Sequence, residues 1–147
     1  MDGERAGGLV IVGCSRRKII TSNPVPALDL YQGWCIPELR QRLPTGTPER
    51  ARVLVLSAGH GLVGADQPLT TYEQPMTAER ARALRGPVRQ ALTTHLSIHP
   101  AHELLLLLES AYRDVLGDLP LPVVHLITDP TTHIADVHRI LDSWSWP

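Results

Sequence analysis

The chain has few cysteines, an almost balanced charge and no long apolar segment, and each of these features argues against a class of protein. Its two cysteines, Cys14 and Cys35, are too few for a disulfide framework and lack the spacing of a zinc site. The net charge is −1, so any contact with nucleic acid must be local. No apolar run approaches the roughly 20 residues of a membrane span, and the first residues do not resemble a secretory leader. We therefore expect a cytoplasmic protein without a membrane partner.

The composition is that of an ordinary globular protein. The 147 residues are 43% hydrophobic and 20% charged, which is enough apolar sequence to form a core without disulfides or a structural metal. A chain of this length fits one domain, so residues 1–147 are interpreted as a single unit.

Short apolar runs alternate with helical patterns along the sequence. The runs are typical of buried strands, and they lie at Leu9–Cys14, Val53–Ala58, Leu104–Leu108 and Val123–Thr128. Helical patterns lie at Trp34–Leu43, Thr77–His95, Ala111–Leu116 and Thr132–Trp144, the second interrupted by Pro87, where a kink or a break into two helices is expected. This alternation predicts a three-layer α/β domain whose mostly parallel central sheet has at least four strands and helices on both faces. Such sheets bind ligands at the carboxyl ends of their strands.

A thiol, a hydroxyl and three cations follow the first predicted strand. This loop is predicted to bind an anionic group such as phosphate, through Ser15, Arg16, Arg17 and Lys18. The same charges would favour the thiolate of Cys14, which makes it a candidate nucleophile; the alternative is that Cys14 packs as a small apolar side chain at the strand end.

The second predicted strand ends in the sequence Ser57-Ala58-Gly59-His60-Gly61. The glycines on either side of His60 predict a tight turn that presents its imidazole to the site, with Ser57 and Gly61 beside it. His60 is the best candidate for a general acid or base, because imidazole titrates near neutral pH. The alternative is that it only stabilises the turn.

Further candidates come from three later loops. Tyr72 and Glu73 belong to a long polar connection, and such loops often carry function. Glu109, which follows the leucine-rich run, could stabilise a developing oxocarbenium ion or bind a sugar hydroxyl, or it could simply favour the next helix start. Tyr112 and Thr131 are assigned to substrate binding at the same edge. His95, His99 and His102 lack metal-ligand spacing, so we predict neither a metal nor another cofactor.

Two ordered segments resemble a known family. The first is Cys14-Ser15-Arg16-Arg17-Lys18, and the second runs from Leu56 through His60 to Val63, followed by Pro68 to Glu73. They resemble an uncharacterised bacterial and phage domain family with a Cys-Ser-Lys-x-Lys start and a Ser-Ala-Lys-His-Gly-Leu turn, and are similar to the YaaA family of peroxide-stress proteins. The segment around Tyr112 is a weaker third element. The resemblance implies an α/β fold and, for YaaA itself, DNA binding in oxidative stress. Gly59 stands where the related domain usually has lysine, and His60 where YaaA has tyrosine.

These observations favour a small enzyme acting on a nucleotide, nucleoside or nucleobase by hydrolysis or transfer at an N-glycosidic bond. The basic loop would bind phosphate, His60 would move a proton, and Glu109 or Glu73 would contact the sugar. The alternative is a nucleic-acid-binding stress protein without catalysis. It would use the basic loop and the arginines of the Thr77–His95 helix, which are Arg80, Arg82, Arg85 and Arg89.

Overall fold

In the part of the chain that the structure describes, seven strands and five α-helices follow one another in an α/β order. The structure is a computed structural model, and it describes residues 7–14, 18, 20–72, 75–119 and 121–147. The strands are β1 (Gly7–Gly13), β2 (Val25–Pro26), β3 (Val53–Ser57), β4 (Gly61–Gly64), β5 (Pro68–Leu69), β6 (Ala101–Leu107) and β7 (Val123–Ile127). The helices are α1 (Ala27–Leu30), α2 (Ile36–Arg42), α3 (Ala78–Ile98), α4 (Ser110–Leu116) and α5 (Ile134–Ser143), with a 3₁₀ helix at Pro48–Arg52.

Five strands form the central sheet in the order β4-β3-β1-β6-β7. Strands β3, β1, β6 and β7 are parallel, and β4 pairs antiparallel with β3. The carboxyl ends of the four parallel strands therefore meet at one edge of the sheet. Strands β2 and β5 form a separate antiparallel pair.

Helices cover both faces of this sheet. Successive side chains of a strand point to opposite faces, so each strand contributes residues to both core layers. Val10 and Val12 of β1 belong to the core layer that contains residues of α1, α2 and α5. Leu9 and Ile11 belong to the other layer, against α3 and α4. The predicted α/β class with a mostly parallel sheet and helices on both faces is confirmed.

The last predicted strand is correctly placed, but the prediction that it is buried is wrong. Strand β7 lies at the edge of the sheet, and Val123, Val124 and Leu126 are 41%, 41% and 48% exposed. Its apolar sequence matches that of the central strands, so the pattern did not distinguish an edge strand from a buried one.

The structure also differs from the sequence-based predictions in the segment after β3 and in the longest helix. The chain reverses at the turn before Gly61 and continues as β4, a strand that the sequence analysis did not predict. Helix α3 continues through Pro87, so a break into two helices, one of the two outcomes expected at this proline, is wrong. Gly86 precedes the proline and has no Cβ to clash with its ring, which allows the helical conformation. Thr77 caps the start of α3, because its hydroxyl oxygen accepts a hydrogen bond from the Arg80 amide. Within the described part of the chain, no helix is long and apolar enough to span a membrane.

Candidate functional site

A cluster of three hydroxyl groups lies at the carboxyl end of β3. Tyr31 Oη donates to Ser57 Oγ at 3.1 Å, Ser57 Oγ is 2.7 Å from Tyr72 Oη, and the two tyrosine oxygens are 2.6 Å apart. A hydroxyl carries one proton, so the three bonds close as a ring in which Ser57 donates to Tyr72 and Tyr72 donates to Tyr31. Tyr31 and Ser57 are fully buried, whereas Tyr72 is partly exposed. Tyr72 is thus the member of this hydroxyl cluster that a ligand can reach.

Ser57 also holds the turn that carries His60. Its Oγ accepts hydrogen bonds from the backbone amides of Gly59 at 3.2 Å and His60 at 3.0 Å. Gly61, with φ of +79°, takes the left-handed conformation that glycine adopts without strain. Arg80 of α3 donates to the carbonyl oxygens of Ala58 and Gly59 at 2.7 and 3.2 Å. The turn is therefore fixed from both sides while His60 remains exposed.

The Tyr72 ring brings a histidine and a lysine together. The rings of His60 and Tyr72 meet edge to face, with centroids 4.8 Å apart. Lys18 Nζ lies 4.8 Å from the Tyr72 centroid, within range of a cation–π interaction. The close approach of Tyr72 requires glycine at position 59, since a Cβ there would be 2.4 Å from Tyr72 Cδ2. The imidazole of His60 and the ammonium of Lys18, which are distant in the sequence, therefore both contact the ring of Tyr72.

The neighbouring strand end contributes a thiol. Cys14 follows β1, is partly buried, and its Sγ lies 3.2 Å from Tyr112 Oη. Glu109 is exposed at the N-cap of α4, where its carbonyl oxygen accepts from the amides of Tyr112 and Arg113. Its side chain makes no capping hydrogen bond, which leaves the carboxylate at the carboxyl edge of β6.

The three tyrosines are held in their protonated form. Burial, followed by the nearby Cys14, raises the pKa of Tyr31 to about 12. The same two causes, in the same order, raise the pKa of Tyr72 and that of Tyr112, and Glu109 adds to the effect on Tyr112. At neutral pH these phenols therefore act as neutral hydrogen-bonding groups rather than as bases.

The remaining predicted residues divide into two groups. Ser15, Arg16, Arg17 and Glu73 lie outside the described residues. Thr131 is exposed after β7, two strands away from β1 in the sheet, where Asp129 Oδ1 accepts from the Thr132 amide at 3.4 Å within the turn before α5. No group of three or more metal-ligating side chains occurs in the described ranges.

Sequence reasoning missed Tyr31 and Trp34. Tyr31 follows the four-residue helix α1 and pairs through a backbone bridge with Lys18. Trp34 was interpreted as the start of a helix, but it lies in the turn before α2. No local pattern marks either residue, because each reaches the site only through the tertiary fold.

A cleft of about 480 Å³ lies elsewhere, between the ends of α2 and α5. Arg42 on its wall donates to His138 Nδ1 at 3.0 Å, to Asp142 Oδ1 at 2.6 Å and to the Trp146 carbonyl at 3.1 Å. These bonds tie α2 to α5 and the segment that follows it. The thiol, imidazole, ammonium and carboxylate groups described above lie at the carboxyl edge, so we place the candidate site there.

Fold and site together define a three-layer α/β protein whose polar cluster occupies the carboxyl ends of its central parallel strands, where such folds bind ligands. Residues 9–136 match a family of unknown function, DUF6884, and the chain belongs to that family. No curated protein and no solved structure matches it. The expectation of an uncharacterised family is confirmed, whereas the relation to YaaA stays a prediction.

Proposed function

We propose that the protein is a small enzyme that acts on a nucleotide, nucleoside or nucleobase and breaks or exchanges an N-glycosidic bond. The observation that carries the proposal is the meeting of Lys18 and His60 at the Tyr72 ring. A fixed cation and an exposed imidazole beside protonated hydroxyl groups suit an anionic substrate that must accept a proton.

Binding would use groups from three loops. The Lys18 ammonium would contact phosphate, and the hydroxyl of Tyr72, a partly exposed residue, would exchange a bond within the hydroxyl cluster for one to the substrate. Glu109, exposed at the carboxyl edge of β6, would face the sugar. Ser15, Arg16 and Arg17 are predicted from the sequence to add to phosphate binding.

The proposed reaction needs one proton carrier and one carboxylate. His60, in its protonated form, donates to the departing nitrogen of the base as the C1′–N bond breaks, and the bonding electrons leave with the base. The Glu109 carboxylate stabilises the cationic sugar. Water then adds to C1′ and returns a proton to His60; in a transfer reaction a second base takes the place of water. Cys14, hydrogen-bonded to Tyr112, is the alternative nucleophile for a covalent route.

The test combines binding with product detection. The protein is screened against nucleoside monophosphates and nucleosides by thermal shift, and release of free base is followed by chromatography. We expect at least one nucleotide to stabilise the protein, and the His60→Gln variant to release base at least about 100-fold more slowly. The matched control is His102→Gln, an exposed histidine on β6 that should leave the rate unchanged. Absence of both stabilisation and base release, or an equal loss in the control, would contradict the proposal.

The alternative function has weaker support from the described residues. Arg80 is engaged in holding the turn after β3, which leaves Arg82, Arg85 and Arg89 exposed on α3 for contact with nucleic acid. Retention of DNA at low salt that weakens steeply as salt is raised would favour this second function. No retention at low ionic strength would exclude it.

A further inference from the structure

Trp34 has a backbone conformation that its residue type rarely adopts. Its φ is +60°, in the left-handed region, and among the described residues only Ser145 is a second non-glycine with positive φ. A bulky side chain in this region is a true outlier whose backbone is strained. Strained residues of this kind cluster at ligand-binding sites, so the surroundings of Trp34 are informative.

The strained turn delivers the indole to the end of β1. A Cβ built on Gly13 would lie 3.4 Å from Trp34 Cζ3 and 3.7 Å from Tyr112 Cγ, so both rings contact the last residue of that strand. Trp34 packs with the layer of α1, α2 and α5, and Tyr112 packs with the layer of α3 and α4. The two aromatic side chains thus meet at the end of β1, on the side to which a side chain at position 13 would point. Cys14, the partner of Tyr112, is the next residue.

The indole is also incompletely covered. Trp34 is only partly buried, although it borders a core layer whose central residues are fully buried. A tryptophan that serves only packing would stabilise the fold most when it is completely buried. A smaller apolar residue would also be less crowded in this left-handed turn. An indole held at the site edge at the expense of backbone strain is better explained by an aromatic ligand.

We propose that Trp34 is the stacking surface for the nucleobase of the substrate. This inference rests on the proposed function and deepens it by assigning the position of the base. Base–aromatic stacking depends on the π-face that every base has, and loss of such a contact typically weakens binding by about tenfold or more. With the base on Trp34, the sugar lies toward the thiol and Glu109, and the phosphate toward Lys18.

Tryptophan fluorescence provides a direct test. AMP, GMP, CMP and UMP are titrated into the protein, with ribose 5-phosphate as a probe that has the phosphate and sugar but no base. We expect a bound nucleotide to quench the emission and ribose 5-phosphate to leave it unchanged. The Trp34→Leu variant should lose that quenching and bind the nucleotide about tenfold or more weakly by calorimetry, while Trp34→Phe should retain part of the affinity.

The control is Trp144→Phe. Trp144 stacks against Trp146, with ring centroids 5.2 Å apart, and lies beside Gly8 in the amino-terminal half of β1. This variant should keep the nucleotide-induced quenching. If Trp34→Leu does not fold, Trp34→Asn supplies the same test, since asparagine tolerates the left-handed backbone and lacks an aromatic ring.

The outcomes separate the two proposals. Unchanged nucleotide affinity in Trp34→Leu or Trp34→Asn would overturn the stacking surface and leave the proposed function standing. If calorimetry detects no nucleotide binding to the unmodified protein, the proposed function itself fails, and the assignment of Trp34 fails with it.

Discussion

The Tyr72 ring packs so close to Gly59 that it leaves no room for a side chain there. The Gly59→Ala substitution places a methyl group 2.4 Å from Tyr72 Cδ2, so the ring must move away from His60 and from the hydroxyl cluster. We expect a loss of about 1–3 kcal/mol in the free energy of unfolding, measured by urea denaturation. The matched control is Gly64→Ala, where nothing lies within 4 Å of the new methyl group. Equal stability of the two variants would contradict the described position of Tyr72.

His95 introduces a pH dependence far from the site. Burial, then the charges of His99 and Arg52, lowers the pKa of His95 below its ordinary value of 6.5. The unfolded chain therefore binds a proton more readily, so stability rises with pH between the folded pKa and 6.5. We expect the free energy of unfolding to fall as the pH is lowered below 6.5, and His95→Gln to reduce that fall in urea titrations at several pH values. An unchanged slope in the variant would refute this assignment.

Individual residues of the site were predictable only where the local sequence marks them. His60 stands between two glycines, and Lys18 follows a strand and two arginines, so both were identified as candidates from pattern alone. Tyr31 carries no such mark, and it joins Ser57 and Tyr72 across 26 and 41 positions of the chain. A hydroxyl cluster of this kind results from tertiary packing, which local patterns do not encode.

Strands β6 and β7 show how much burial depends on position within the sheet. Leu106 and Leu126 are register partners on adjacent parallel strands, yet Leu106 is fully buried and Leu126 is 48% exposed. We expect Leu106→Ala to cost about 2–5 kcal/mol of unfolding free energy because it leaves a cavity in the core. Leu126→Ala should cost less than about 1 kcal/mol, since it removes a half-exposed side chain. Similar losses for both variants in urea denaturation would show that β7 is covered rather than exposed.

At the level of elements, periodicity located the helices and main strands well. Helix α3 was predicted at Thr77–His95 and spans Ala78–Ile98, and the apolar run at Val53–Ala58 contains β3. Strand β4 was missed because Gly61–Gly64 is short and begins and ends in glycine, which favours a turn. Pro87 predicts either a kink or a break, and the break does not occur because neighbouring packing and Gly86 outweigh the local preference.

For the molecule as a whole, the alternation of strands and helices predicted the parallel sheet, and the sheet predicted the edge at which polar residues gather. That second step follows from topology, because parallel strands place all their carboxyl ends on one side. The order of the strands was beyond the sequence pattern. This order places β3 beside β1, and so brings the turn of His60 next to the loop of Cys14 and Lys18.

The proposed function places nucleotide binding at this edge and not in the cleft between α2 and α5. Amide chemical shifts measured by NMR during titration with the best-stabilising nucleoside monophosphate distinguish the two positions. We expect shifts at Cys14, Gly59 and His60, with none at Gln41 and His138 beside the cleft. Shifts confined to the cleft, or no shifts at millimolar nucleotide, would exclude binding at the edge.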